Sequence, residues 1–460
     1  MAERGATHHE AQADYDMTGS ARPGTAFAMV SILLASAASR MAVAQETEGL
    51  SSPLDREATS FIALNSRLER SDNIRRADTG KQSDTMASLG AALNYSYTGS
   101  RITGTAVGDL GYVEYLDNTY DSRIAGNFDG RLLWGTSADL LQWEVQDVFG
   151  QTKTSALAAA TPDNLQNVNV LSTGPTINLN FGETRVSLDG RYADQSYESG
   201  NLDSNRLTGV VAVVRGLSDR SSVSLNAQVD SVKYDASIAD YDTRQYFVRY
   251  QGELGRTRIS SDLGYTETEI DGQDPSGGSL IRVNIDRRIS ASSSLFLSGT
   301  TQFTSSADSL HLDRTTVSRT DSEVPLLASD PFRQREARAG WRMNRSRTSL
   351  TVSGSYSEER YEVSTPLNRD LTGVEVQLGR HIAPTLWLRT EASYQKEKFI
   401  NLGSDSTDLV LSVELNKGLG RRVSGSIRYE YNNRSGNGGV ADYRENRISL
   451  YLDFLAAGRR

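Results

Sequence analysis

The chain of 460 residues has no cysteine, only four histidines and no basic surplus, its net charge being −9. Without cysteine there is no disulfide framework, no thiolate metal site and no lipid attached through a signal-peptide cysteine. An acidic balance without a basic stripe argues against a nucleic-acid partner. After residue 44 no apolar run is long enough for a membrane-spanning helix. Length alone would suggest two or three soluble domains. Mean hydropathy, −0.47, hides what matters, because a transmembrane β-strand turns only every second residue to lipid.

That alternation is present. Val186, Leu188 and Tyr192 alternate with Ser187, Asp189 and Arg191. Leu207, Gly209, Val211 and Val213 form a second apolar row, and Val223, Leu225, Ala227 and Val229 a third. The period is two, so these are strands rather than helices. They run to about ten to thirteen residues, roughly double the usual soluble strand. About twenty such strands occupy residues 60–454, with eighteen as the alternative count. The segment Leu165–Phe181 is ambiguous. Gly174-Pro175 interrupts it, proline cannot donate to a ladder, and the strand could start only at Thr173. Towards the C-terminus the expected strands are Asn368–Arg380, Thr385–Lys396, Thr407–Asn416 and Val423–Asn432.

Connection lengths alternate between short turns, as at Gly255-Arg256, and long polar loops, of which Ser305 to Pro331 is the longest. That is the pattern of an antiparallel up-and-down barrel with short periplasmic turns and long external loops. Tyrosines gather where outward-running strands should end: Tyr112, Tyr115, Tyr192, Tyr197, Tyr234, Tyr265, Tyr356, Tyr361, Tyr394, Tyr429 and Tyr431. They read as an external aromatic girdle, with Tyr95, Tyr97, Phe181 and Phe454 at the inner rim. A β-propeller would need shorter strands and a blade repeat, and the sequence shows none. The fold class is therefore all-β, a transmembrane antiparallel β-barrel.

The N-terminus carries an apolar run from Thr25 to Ala38, then Ala42-Val43-Ala44 before polar Gln45-Glu46. This reads as a secretory signal peptide over residues 1–44, with Met17 as an alternative start. Residues 45–59 form a periplasmic lead-in, and residues 455–460 extend past the barrel.

Three stretches resemble a known family: Ser71-Asp72-Asn73-Ile74, the run from Ser172-Thr173-Gly174-Pro175 through Asp189-Gly190-Arg191-Tyr192 to Tyr197, and the ending Glu445 to Phe454. They are similar to the β-barrel porin 2 family of proteobacterial outer-membrane proteins, associated with exopolysaccharide loci and the PEP-CTERM sorting system. The motifs are short, and the likeness extends diffusely over most of the mature chain. The resemblance implies an outer-membrane location and a part in polysaccharide secretion. It supplies no catalytic residue. This chain departs from the usual terminal aromatic, because Leu455 to Arg460 follow Phe454.

The face opposite the apolar one should line the lumen. It carries Asp129, Arg131, Asp189, Arg191, Arg249, Glu253, Arg282, Asp286, Arg288, Glu336, Arg338, Arg389, Glu391, Arg428 and Glu430. Mixed signs on one face pair along and across strands. One reading is that they only hydrate and hold the interior. The other is that they set ion or glycan selectivity, arginine favouring an acidic polysaccharide. Enzyme chemistry is not expected. His8 and His9 precede the cleavage site, His311 falls in the longest loop and His381 in a turn, none beside a nucleophile. Asp271, Asp274 and Asp405–Asp408 read as turns rather than a calcium site. Gly436 to Gly439 precedes no helix and makes no phosphate loop. No cofactor or metal is expected. The expected partners are outer-membrane lipid and lipopolysaccharide, an acidic exopolysaccharide and periplasmic export components. The loop Ser305 to Pro331 either folds inward and constricts the pore or stays mobile outside.

Overall fold

The computed structural model describes residues 60–458 apart from 137, 200–201, 237 and 310–319. The expected signal peptide and lead-in, and His8, His9 and His311, lie outside the described residues.

Twenty strands follow in chain order: β1 Phe61–Ser71, β2 Asp84–Thr98, β3 Ile102–Tyr115, β4 Arg123–Trp134, β5 Leu141–Lys153, β6 Leu165–Phe181, β7 Thr184–Tyr197, β8 Ser204–Ser218, β9 Ser221–Tyr234 and β10 Tyr241–Leu254. The second half comprises β11 Thr257–Ile270, β12 Ser276–Ser290, β13 Ser293–Thr304, β14 Phe332–Arg345, β15 Thr348–Tyr361, β16 Arg369–Ala383, β17 Leu386–Phe399, β18 Ser404–Gly418, β19 Val423–Gly436 and β20 Tyr443–Gly458. Each is antiparallel to the next, and β20 pairs back onto β1, Phe61 opposite Gly458 and Ser71 opposite Arg447. The sheet is closed, so no edge strand is left to find a partner.

Period two decides the faces. On β8, Leu207, Val211 and Val213 stand out from the wall, and Leu225 and Val229 continue the row on β9. Leu89 is 69% exposed and Phe181 63%. A soluble protein rarely exposes more than a few hundred Å² of contiguous apolar surface. Here strands all round the barrel contribute to such a belt, so the solvent on that face is lipid. Only a closed barrel satisfies all strand hydrogen bonds there. The chain is a twenty-stranded transmembrane β-barrel of the outer-membrane type.

The segment Leu165–Phe181 is one strand over its full length, β6, and the later start at Thr173 is not taken. Its ladder to β7 skips Gly174 and Pro175, and Arg191 donates to the Pro175 carbonyl at 2.9 Å. The missing N–H is thus placed where the ladder is already open, and Gly174 lets the chains approach, since a Cβ there would lie 1.9 Å from the Gly190 carbonyl. Other expectations need correction. Leu455 to Gly458 are not an appendage. They belong to β20, Leu455 is buried, and its N–H donates to the Arg422 carbonyl at 2.7 Å. His381 is in β16 rather than a turn, its ring edge-on to Trp387 at 4.3 Å. Asp405 and Asp408 belong to β18, because that strand starts at Ser404.

The aromatic girdle is only half as expected. Tyr112, Tyr192, Tyr265, Tyr356, Tyr394 and Tyr429 are exposed on the outer face, joined by Tyr246. Tyr115, Tyr197 and Tyr361 are buried inside, and Tyr234 stands on the inner row with Val232. The reason is spacing. Tyr112 and Tyr115, Tyr192 and Tyr197, and Tyr356 and Tyr361 are separated by odd numbers of residues, which on a strand puts them on opposite faces.

Candidate functional site: the charged lumen and its occluded mouth

All fifteen expected lumen residues stand on the inner face, one step out of phase with the exposed apolar rows. Most are held in ion pairs. The Arg249 guanidinium grips Asp262 at 2.7 and 2.8 Å, and Arg282 adds 3.2 Å to the same carboxylate. Arg249 therefore does not use Glu253, four residues along its own strand. Arg131 reaches Glu144 at 2.6 Å, and Arg191 bridges Asp189 at 2.8 Å and Glu144 at 3.5 Å. Arg338 pairs with Glu375 at 2.8 Å and Arg389 with Glu391 at 2.8 Å. Arg428 joins Glu430 at 2.9 Å and Glu391 at 3.7 Å. Asp129 accepts from Gln146 at 3.3 Å and Glu336 from Gln334 at 3.2 Å. Glu253 and Arg288 are exposed near the short-turn end, with Asp286 half-exposed beside them. Asp262, Glu144 and Glu375 were missed by sequence reasoning, although each has the inward phase.

At the long-loop end the lumen is filled. The described parts of the long loop, 305–309 and 320–331, turn inward rather than away. A 3-10 turn, Asp321–Glu323, sits against the inner wall, capped by Thr320, whose N–H donates to Glu323 Oε2 at 2.9 Å. Asp321 meets Arg76 of the first long loop at 2.5 Å and Arg434 of β19 at 3.6 Å, and it accepts from the Ala160 N–H at 3.0 Å. Ser322 donates to Asp408 and, at 3.2 Å, to Glu397, while its carbonyl accepts from Arg369 at 3.3 Å. Thr320 donates to Gln395 at 2.7 Å. The inward tyrosines belong here: Tyr234 donates to the Ser329 carbonyl, and Tyr361 packs on Phe332 at 4.7 Å.

These contacts close one dense charge network. Arg369 binds Glu359 at 2.8 Å and Glu397 at 2.7 Å, and Arg434 reaches Glu397 at 3.0 Å. Arg76 also binds Glu445 at 3.0 Å, which Arg447 holds at 2.8 Å. Arg434, Glu397, Glu445 and Lys153 are fully buried. A buried charge is tolerable only when paired in this way. Glu397 and Arg434 fall outside the expected strands, which end three and four residues early, at Lys396 and Asn432 instead of Phe399 and Gly436, while Arg369 and Asp408 fall inside theirs without marking their partners. The signal was the same inward phase carried past the apolar belt: Gln395 to Glu397, and Asn432 to Arg434. Beside the plug a cavity of about 250 Å³ remains against β14 to β17, its walls including Glu336, Arg338, Ser355 and Gln395.

Burial alone would raise the Asp321 carboxyl, but Arg76, Arg434 and Lys153 hold it below the ordinary carboxylate range. A lowered value in the docked plug means that docking is favoured above the ordinary carboxylate pKa. That contribution is lost as pH falls through the docked value. The plug should therefore loosen only below about pH 4. Conductance recorded from pH 7 downward, with Asp321→Asn as the reference, checks this; a pH response unchanged in Asp321→Asn would assign it to other groups.

No family model and no curated protein matches the chain. Solved structures of similar architecture include the FrpB iron transporter of Neisseria meningitidis, at 9% identity and TM-score 0.44, covering 87% of this chain and 83% of that one. The ferric enterobactin receptor PfeA of Pseudomonas aeruginosa gives 9% and 0.44, covering 89% and 81%. OccK2 of the same organism gives 11% and 0.38, covering 87% and 98%. At these identities the likeness concerns the fold.

Proposed function

We propose that this chain is an outer-membrane channel, closed at rest on its external side by its own loop. One observation carries the reading: the polar, charged lumen is open at the short-turn end, where Glu253 and Arg288 are exposed, and occupied at the other by residues 320–331. Barrels of sixteen or more strands hold an aqueous lumen unless something plugs it. The lumen passes polar solutes passively once the plug withdraws. The family resemblance supports a narrower cargo, an acidic exopolysaccharide delivered by periplasmic export components, and arginines such as Arg131 and Arg282 suit its carboxylates.

The test is single-channel recording of refolded protein, with and without an acidic polysaccharide. Openings blocked by the polymer support export; openings indifferent to it leave a general diffusion channel. If neither the native chain nor a loop-deleted one conducts, the barrel is an occluded surface-interaction protein acting through its loops. Neutralising Arg282, Arg288 and Arg338 to glutamine should shift ion selectivity towards cations, read as the reversal potential in a salt gradient. An unchanged reversal potential would leave these arginines a purely structural task.

A further inference from the structure

The wall is not uniform. The β4–β5 ladder runs from Trp134 opposite Trp143 only as far as Phe128 opposite Phe149. Above that point Arg123 to Asn127 pair with β3 but have no strand on the β5 side, while β5 continues to Lys153 paired with β6. The ladder stops beside Gly126, which has φ +133°, a backbone that L side chains rarely adopt, and sits so close to β3 that a Cβ would lie 1.9 Å from the Asp109 carbonyl.

The free edge of the β5 tip is not idle. The Lys153 N–H donates to the Pro325 carbonyl at 2.8 Å, and the Leu327 N–H donates to the Lys153 carbonyl at 2.9 Å. Lys153 and Leu326 thus form a parallel bridge, and the plug is joined to the wall by strand addition. Side chains span the seam left behind. Asn167 donates to the Ile124 carbonyl at 3.3 Å, and Arg123 donates to the carbonyls of Pro162 at 2.7 Å and Leu165 at 3.3 Å.

We infer that the β5 tip is shared between two partners. Seated, Pro325 to Leu327 take the edge at Lys153 and the β4–β5 seam stays open. Withdrawn, it frees that edge, and the tip completes the ladder with β4. Edge groups buried away from water demand partners, Lys153 is fully buried, and one edge cannot serve both. Opening the mouth and closing the seam are then one event. Extending the present register would set Ala125 opposite Thr152, both on the inner face.

The inference rests on the channel reading only for its electrical readout. Because the chain has no cysteine, paired cysteines report cleanly. Ala125→Cys with Thr152→Cys should oxidise to a crosslink seen as a gel shift. It should raise conductance several-fold, reversibly with reductant. Lys153→Cys with Leu326→Cys should crosslink and hold the mouth shut. In the four-cysteine chain only one of the two bonds should form per molecule. Failure of the first pair to crosslink, or both bonds in one molecule, overturns the sharing. If the bonds exclude each other but no variant conducts, the sharing stands and the channel reading falls. If the first bond forms and leaves a conducting loop-deleted control's range unreached, the coupling to the mouth is refuted.

Discussion

Deleting Ala307 to Glu323 should convert a closed or flickering barrel into one with large steady openings, a rise of roughly tenfold or more for a lumen of this strand number. The deletion removes Asp321 and Ser322, the residues that bind Arg76, Arg434, Asp408 and Glu397. It also removes Asp308, whose carboxylate meets Arg206 at 2.6 Å. The strands on either side, β13 and β14, pair with each other along their whole length, so the wall does not need the loop. Planar-bilayer recording with circular dichroism as the folding control gives the result. Unchanged conductance in folded protein would show that the inward stretch is not what blocks the lumen.

Replacing Glu397 with alanine should be the most damaging single substitution in the mouth. Its carboxylate is fully buried and serves Arg369 at 2.7 Å and Arg434 at 3.0 Å. It also accepts from Ser322 at 3.2 Å and Ser406 at 3.4 Å. Removing one member of a buried pair strands the other charge, at about 3–5 kcal/mol. Arg369 keeps Glu359 and Arg434 keeps Asp408 and Asp321 nearby, so the lower end of that range applies. Glu397→Gln should recover part of it by hydrogen bonding. The readouts are the temperature at which the barrel loses its compact gel mobility and the frequency of openings. A Glu397→Ala barrel as heat-resistant and as closed as the native one would mean that the network does not hold the plug.

Much of this could be read from one dimension. A period of two survives any reference to neighbours, so the strands, the lipid face and the inward phase of all fifteen lumen charges were open to inspection. Register was less so. Which charge meets which depends on the strand opposite: Arg249 finds Asp262 on β11 rather than Glu253 on its own strand. The tyrosines show a signal present but misread, since odd spacing already separated Tyr115, Tyr197 and Tyr361 from their outward companions. The strand ends were harder. Beyond the apolar belt both faces are polar, and hydrophobic alternation no longer marks the ladder, so Glu397 and Arg434 lost their strand context.

The barrel is legible without coordinates, because alternation, strand length and alternating connections leave one way to satisfy every backbone group in lipid. Which residues look inward is legible in the same way. Folding in three dimensions was needed to bring the described parts of the long loop into the mouth, to set Asp321 against Arg76 and Arg434 from distant segments, and to join Lys153 of β5 to the plug where the β4 ladder has ended. Those outcomes depend on contacts between residues hundreds of positions apart, such as Arg76 and Glu445. No local pattern encodes such contacts, because they exist only once the sheet has closed.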